Sequence, residues 1–236
     1  MNRSFCHTAF LAFALLGLGS GCASFGYTGK SRDLASDALT RERGWVAVHG
    51  VPLYRQQAHH DCGPTALAMV MRYHRHDADV RALLERPRDS QVSAAELREL
   101  ARARGFSAFV LEGTVEDLVH EIKEGRPVIV GMAKPTALGP IAHYEVLVGM
   151  HRDTQRFATI DPAVGLRQNT FKGFLEEWVA TGNVLLVVMP EEKPRAKPSD
   201  PESPHVAANP TQGSPPANSP RAALQGFSSV SGAAPR

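Results

Sequence analysis

Asp61-Cys62-Gly63-Pro64 leads directly into an apolar run, Thr65-Ala66-Leu67-Ala68-Met69-Val70-Met71. A cysteine in the first turn of a helix meets free backbone N–H groups and the positive end of the helix dipole. Both favour the thiolate over the thiol. Pro64 suits such a turn, where its missing N–H costs nothing. A thiolate nucleophile also needs a base, a group that orients the base, and donors for the developing oxyanion. For the base, His143 opens an apolar strand, Tyr144-Glu145-Val146-Leu147-Val148. For the orienting group, Asp161 closes the next strand, Arg156-Phe157-Ala158-Thr159-Ile160, across a polar turn at 151–155. If that turn is centred on Asp153, Glu145 opposes Asp161 and His143 lies diagonal to Asp161 on the same face. A slip of one residue would send the two to opposite faces. The backbone N–H of Cys62 is one oxyanion donor, and Gln56 or Gln57, just upstream, offers a side-chain amide as the second. The pattern is that of a cysteine-nucleophile hydrolase with Cys62, His143 and Asp161 as candidate catalytic residues.

Each of these residues also has a plainer use. A single cysteine is commonly a small buried apolar group, but Asp61, Gly63 and Pro64 are poor company for a core position. Alone, His143 would be a strand-end histidine bonded to backbone, and Asp161-Pro162 a strand terminator. His59 and His60 stand too close to Cys62 in sequence to approach it in a good line, and read as solvated loop residues. His74 and His76 are two apart at a helix end and share no face. A zinc site built from these four histidines and Cys62 lacks the usual ligand spacing. Gly26-Tyr27-Thr28-Gly29-Lys30-Ser31 is too short for a phosphate-binding loop.

The elements that must position the three residues divide into halves. Helices are expected from Cys62 to about Tyr73, from Ser93, where Ser93-Ala94-Ala95-Glu96 is a capping box, and from Thr114, with Val115, Leu118 and Ile122 on one face. Strands are expected at 106–111, 128–132, 143–150, 157–160 and 184–188, with a short helix carrying Phe171, Phe174 and Trp178 before the last. Helices followed by a mainly antiparallel sheet make an α+β domain. A cleft between the halves would turn Cys62 toward the strands.

The domain is expected at 45–190, starting near Trp45-Val46-Ala47-Val48. Ten of the 17 prolines fall at or after Pro190, in a stretch with Phe227 as its sole aromatic. Residues 191–236 therefore read as a disordered tail that cannot bury enough apolar surface to offset its ordering entropy. A formal net charge of +2 gives no electrostatic footprint for nucleic acid. At the other end, Arg3 and the apolar stretch from Ala9 to Gly19 form an export signal too short to span a bilayer. Its end, Leu18-Gly19-Ser20-Gly21-Cys22, resembles a bacterial lipoprotein signal. That resemblance implies removal of residues 1–21, acylation of Cys22, and a tether over 22–44. Ala23 after the cysteine points to the outer membrane, facing the periplasm. The alternative is ordinary cleavage after Ala23 and a periplasmic or secreted protein. Either way Cys62 is left without an intrachain disulfide partner.

Val51-Pro52-Leu53-Tyr54-Arg55-Gln56 and Asp61 through Met69 resemble the bacteriocin-processing, or double-glycine, cysteine peptidases of the papain-like clan. So do Ser93 through Gly105, Pro127 through Val130, His143 through Gly149, and Asp161-Pro162-Ala163-Val164-Gly165. The resemblance covers about residues 50–190. It implies a papain-like fold with Cys62 as nucleophile, His143 as base, Asp161 as its orienter and Gln56 as oxyanion donor, Gln57 being the runner-up. It implies a peptide or protein substrate and no metal or organic cofactor. Many relatives are joined to membrane-spanning exporters and cut leader peptides after Gly-Gly. This chain reads instead as the free-standing lipoprotein type. Two further uses of the same residues are a cell-wall amidase or acyl transferase, and a peptide-binding module without turnover.

Overall fold

The computed structural model describes residues 25–85 and 90–191. The export signal, Cys22 and all of the tail beyond Glu191 lie outside these residues. In chain order the elements begin with β1 (Arg32–Asp33), α1 (Ala38–Arg41), β2 (Trp45–Ala47) and a 3-10 turn (His59–Asp61). Then come α2 (Cys62–His74), α3 (Arg81–Leu84), α4 (Ala94–Arg102), β3 (Phe106–Glu112) and α5 (Val115–Lys123). β4 (Val128–Lys134), β5 (Ile141–His151), β6 (Arg156–Asp161), β7 (Gly165–Thr170), α6 (Phe171–Val179) and β8 (Val184–Pro190) complete the domain.

The strands form one sheet in the order β1-β7-β6-β5-β4-β8-β3, with β2 added to β5 beyond the end of β4. Every pairing is antiparallel. The expected α+β arrangement, with the Cys62 helix packed on an antiparallel sheet, is what the chain adopts. Side chains alternate across the sheet, as the pleat requires. Ile129 and Val146 join α2 and α4 in one core. Val128, Val130, Met132 and Leu147 join Leu118 and Ile122 of α5 and Phe174 and Trp178 of α6 in the other. α2 is sunk into the first core, and every residue from Cys62 to Met71 is buried. This suits its composition, since a helix apolar on all sides has no face to give to water.

Helix starts follow the caps in the sequence. The Ser93 hydroxyl accepts from the Glu96 N–H (3.2 Å) and the Glu96 carboxylate accepts from the Ser93 N–H (2.8 Å). Thr114 and Asp117 repeat the device at α5. Each such cap contributes about 1 kcal/mol.

One correction concerns residues 25–44, expected as a free tether. They lie on the domain. β1 pairs with β7, the Leu34 N–H bonds the Leu166 carbonyl (3.1 Å), and Leu34 and Leu39 are buried. Farther up, the Thr28 hydroxyl donates to the Gly173 carbonyl (2.6 Å) and Asn169 donates to the Thr28 carbonyl (3.0 Å). Gly173 makes this approach possible, since a Cβ there would stand 2.6 Å from the Thr28 carbonyl oxygen. Apolar Leu34 and Leu39 sit among polar residues, so no periodic pattern marks them as core.

Candidate active site

The β5–β6 hairpin places two of the three candidate residues. Near the turn the register pairs His151 with Arg156, Met150 with Phe157 and Gly149 with Ala158. Continued unchanged, it would set Val146 opposite Asp161 and turn His143 to the other face. Between Gly149 and Leu147 the register shifts by one residue, as in a β-bulge. Leu147 then faces Thr159 and Val146 faces Ile160. Beyond the bulge Glu145 falls opposite Asp161, and His143 shares its face. The sequence expectation had the right juxtaposition, reached through a bulge that it did not foresee.

His143 Nε2 stands 2.8 Å from Asp161 Oδ1, and both side chains are buried. With Nε2 on the carboxylate, Nδ1 is the ring nitrogen left to face Cys62, with which the ring is electrostatically coupled. Cys62 begins α2 and lies close to the Tyr144 backbone. β6 ends at Asp161, so no strand covers this side of β5 ahead of Glu145. Gln91 bonds the Ala142 carbonyl of β5, and Gly63 at the start of α2 lies against the Tyr144 ring.

The electrostatics follow from burial and pairing. Burial pushes the Cys62 thiol up, but the neighbouring His143 imidazolium, with the Gln91 amide and the Tyr144 backbone behind it, brings it below its ordinary value. Burial pulls the His143 imidazolium down, yet the hydrogen bond to Asp161 and the neighbouring Cys62 thiolate outweigh it and push the group up to about 10. Burial likewise raises Asp161, and donors from His143, Tyr27 and the Ala163 N–H (2.7 Å) hold it at about 2. A thiolate beside an imidazolium and a carboxylate is the charge state these shifts favour.

The structure brings further groups to the site. Gln91 donates to Cys62 Sγ (3.5 Å) and to the Ala142 carbonyl (2.6 Å), bridging the nucleophile and β5. Phe25 packs on the His143 ring with centroids 4.7 Å apart. The Tyr27 hydroxyl donates to Asp161 Oδ2. Below this, buried Lys134 lies between Glu145 and Glu177, with its Nζ 2.5 Å from Glu177 Oε2. None of these was read as functional from the sequence. The one available signal was a pair of aromatics, Phe25 and Tyr27, inside a stretch taken for a tether.

Of the two glutamines, Gln57 is exposed and Gln56 half-buried. The Gln56 N–H bonds the Pro162 carbonyl (3.0 Å), beside Asp161, and its side-chain amide donates to the Ala58 carbonyl (3.2 Å). The side-chain amide on the sulfur is therefore that of Gln91. His59 and His60 sit on the 3-10 turn with rings 5.3 Å apart, and His74 is beside Tyr73 at the far end of α2. Ligand atoms of His143, Glu145 and Asp161 lie within 4.8 Å of one another. There Lys134 already neutralises Glu145, and His143 and Asp161 face each other, so the donor set is spent on protein partners.

The description Peptidase_C39 like family matches residues 48–186. No curated protein matches the chain. Among solved structures, the peptidase domain of Streptococcus ComA, a bifunctional ABC transporter of a quorum-sensing pathway, is 22% identical. The match covers 60% of this chain and 100% of that one, with a TM-score of 0.49. A double-glycine-motif protease from an AMS/PCAT transporter, in complex with its leader peptide, is also 22% identical over 63% of this chain and 96% of the other, with a TM-score of 0.47. The peptidase domain of Streptococcus mutans ComA is 24% identical over 58% and 98%, with a TM-score of 0.44. The family match takes in more than half of the chain and both segments that carry Cys62, His143 and Asp161, and on it the chain belongs to the Peptidase_C39-like family of cysteine peptidases.

Proposed function

We propose that Cys62, His143 and Asp161 form the catalytic triad of an exported, lipid-anchored peptidase. The observation that carries this reading is the buried His143–Asp161 pair (2.8 Å), with Cys62 near enough to the same ring for each to shift the other's titration. The Cys62 thiolate attacks a peptide carbonyl. The oxyanion is met by the Cys62 N–H at the start of α2 and by the amide of Gln56, whose loop is pinned beside the Asp161 turn. The His143 imidazolium then gives its Nδ1 proton to the leaving amine. Water, deprotonated by the same nitrogen, releases the acyl group from sulfur. Asp161 keeps the ring oriented and the imidazolium charged. Cys62 is 1% exposed, so the Gln91 amide must leave the sulfur before a carbonyl carbon can reach it.

The pH dependence follows in sign from the two shifts. The ion pair is present above the lowered titration of Cys62 and below the raised titration of His143, about 10. Iodoacetamide should therefore alkylate Cys62 readily at about pH 6, where an ordinary thiol near 8.5 is almost wholly protonated. A rate that rises only above about pH 8 would show an unpaired thiol and remove the basis of the proposal.

Cys22 is the proposed acylation site, after loss of residues 1–21, and the outer membrane facing the periplasm the proposed location. Because Phe25 already packs on His143, only Ala23 and Ser24 separate the lipidated position from the site, three Cα–Cα steps in all. Three such steps reach at most about 11 Å. The cleft would then lie against the bilayer, open to peptides at or near its surface. No helix of the described residues is long and apolar enough to cross a membrane. Cys22→Ser should accordingly move the protein from the membrane to the soluble fraction, since stable anchoring needs the combined acyl chains. An unmodified mature chain beginning at Ser24, found by mass spectrometry, would replace the anchored protein with a periplasmic or secreted one.

A further inference from the structure

The geometry points to Tyr27 as a positioning residue of the active site, one whose hydroxyl holds the outer oxygen of Asp161 so that the inner oxygen stays on His143. This rests on the triad proposed above and extends it, because Tyr27 stands outside the matched residues 48–186. Asp161 is fully buried. Its Oδ1 receives His143 Nε2 (2.8 Å) and the Ala163 N–H (2.7 Å), while its Oδ2 receives the Tyr27 hydroxyl. A buried carboxylate oxygen without a donor is costly, so the group would rotate in search of one.

Cations stand close by. Lys134 Nζ lies 4.0 Å from the centre of the Tyr27 ring and the Arg167 guanidinium 4.3 Å from it. Glu145, opposite Asp161, is held by Lys134, which also binds Glu177. The Tyr27 ring thus stands among two cations and the carboxylates, and its hydroxyl satisfies Asp161 with a neutral donor. The negative charge of Asp161 is left for the imidazolium. Burial and the neighbouring carboxylate of Asp161 hold the phenol far above its ordinary titration, so it remains a donor throughout the working pH range.

The position of the ring is built rather than incidental. Gly26 N–H bonds the Pro135 carbonyl (2.8 Å), Thr28 bonds Gly173 and Glu177, and Asn169 takes the Thr28 carbonyl. Arg167 bonds Ser31 and Asp33 on the same segment. Residues 25–33 are fixed on either side of one hydroxyl.

The test is iodoacetamide alkylation of Cys62 in the intact chain, comparing wild type with Tyr27→Phe, which keeps the ring and loses only the hydroxyl. With Asp161 released, His143 is held less firmly as imidazolium and the thiol titrates higher. The midpoint of the alkylation profile should therefore move up in pH, each unit of that rise lowering the rate below the midpoint by about tenfold. At about pH 10 both proteins carry the thiolate and should react alike, which separates this effect from unfolding. Thr28→Ala loosens the same segment without touching Asp161, and should lower the melting temperature while keeping the wild-type ratio of the two rates. An unchanged or lower midpoint in Tyr27→Phe, or the same rise in Thr28→Ala, overturns the assignment of Tyr27. A wild-type protein without fast alkylation at that pH instead overturns the triad on which it rests.

Discussion

A Cys62→Ala protein is expected to lose peptide hydrolysis by at least about 10,000-fold while unfolding at nearly the wild-type temperature. The activity loss is large because the thiolate is the atom that forms the bond to the acyl group. No other side chain in the site offers a nucleophile, since His143 and Asp161 already face each other and Gln91 is an amide. The stability loss is small because only a sulfur atom leaves a packed position, a change of about 1 kcal/mol. Residues that act as one unit also fail to add. Once Cys62 is gone, removing His143 as well should cost little further activity. Rates measured on any peptide cleaved by the wild type, for the two single variants and the double, decide this. A Cys62→Ala protein that keeps more than about a hundredth of the activity would place the nucleophile elsewhere.

The parts of this site that the sequence revealed are those set by local chemistry. Cys62 was legible because Pro64 and the apolar run behind it mark a helix start. Ser93 and Thr114 were legible because their caps close within four residues. The His143–Asp161 pair was half legible. Parity along two strands can be counted, but a bulge changes the count by one. Gly149 beside it is a cue for a bulge, as an isolated glycine within a strand often is, but it does not give the direction of the shift. What remained hidden was set by distant partners. Lys134 ends a strand, where a lysine normally reaches water, and only the meeting of β4, β5 and α6 encloses it between two carboxylates. Tyr27 sits 134 residues from Asp161, in a segment whose polar composition resembles a linker. Gln91 reaches the sulfur from the segment before α4, and nothing in its neighbours foretells that reach.

The buried Lys134 yields the largest expected effect on stability. Its ammonium is 1% exposed and lies between Glu145 and Glu177, both equally buried. Burial would lower its titration, but the two carboxylates outweigh this and raise it, so the lysine stays charged. Lys134→Met removes the one cation shared by two enclosed carboxylates. Removing one partner of such a group typically costs about 3–5 kcal/mol, because a charge is left without compensation. For a domain of this size that is a fall in melting temperature of roughly 10 °C. The cost should shrink on acidification. The orphaned carboxyls take up protons more readily folded than unfolded, so their folded titration lies above the unfolded one. Stability of the variant, relative to wild type, therefore recovers as pH falls from about 7 toward 5. Adding Glu145→Leu and Glu177→Gln to Lys134→Met should restore most of the loss. The charges then leave together, and the glutamine oxygen still accepts from the Thr28 N–H that now bonds Glu177. Urea unfolding at the two pH values tests both statements. A single variant within about 1 kcal/mol of wild type at about pH 7, or a triple variant no more stable than the single, would mean that the lysine does not neutralise these carboxylates in the folded chain.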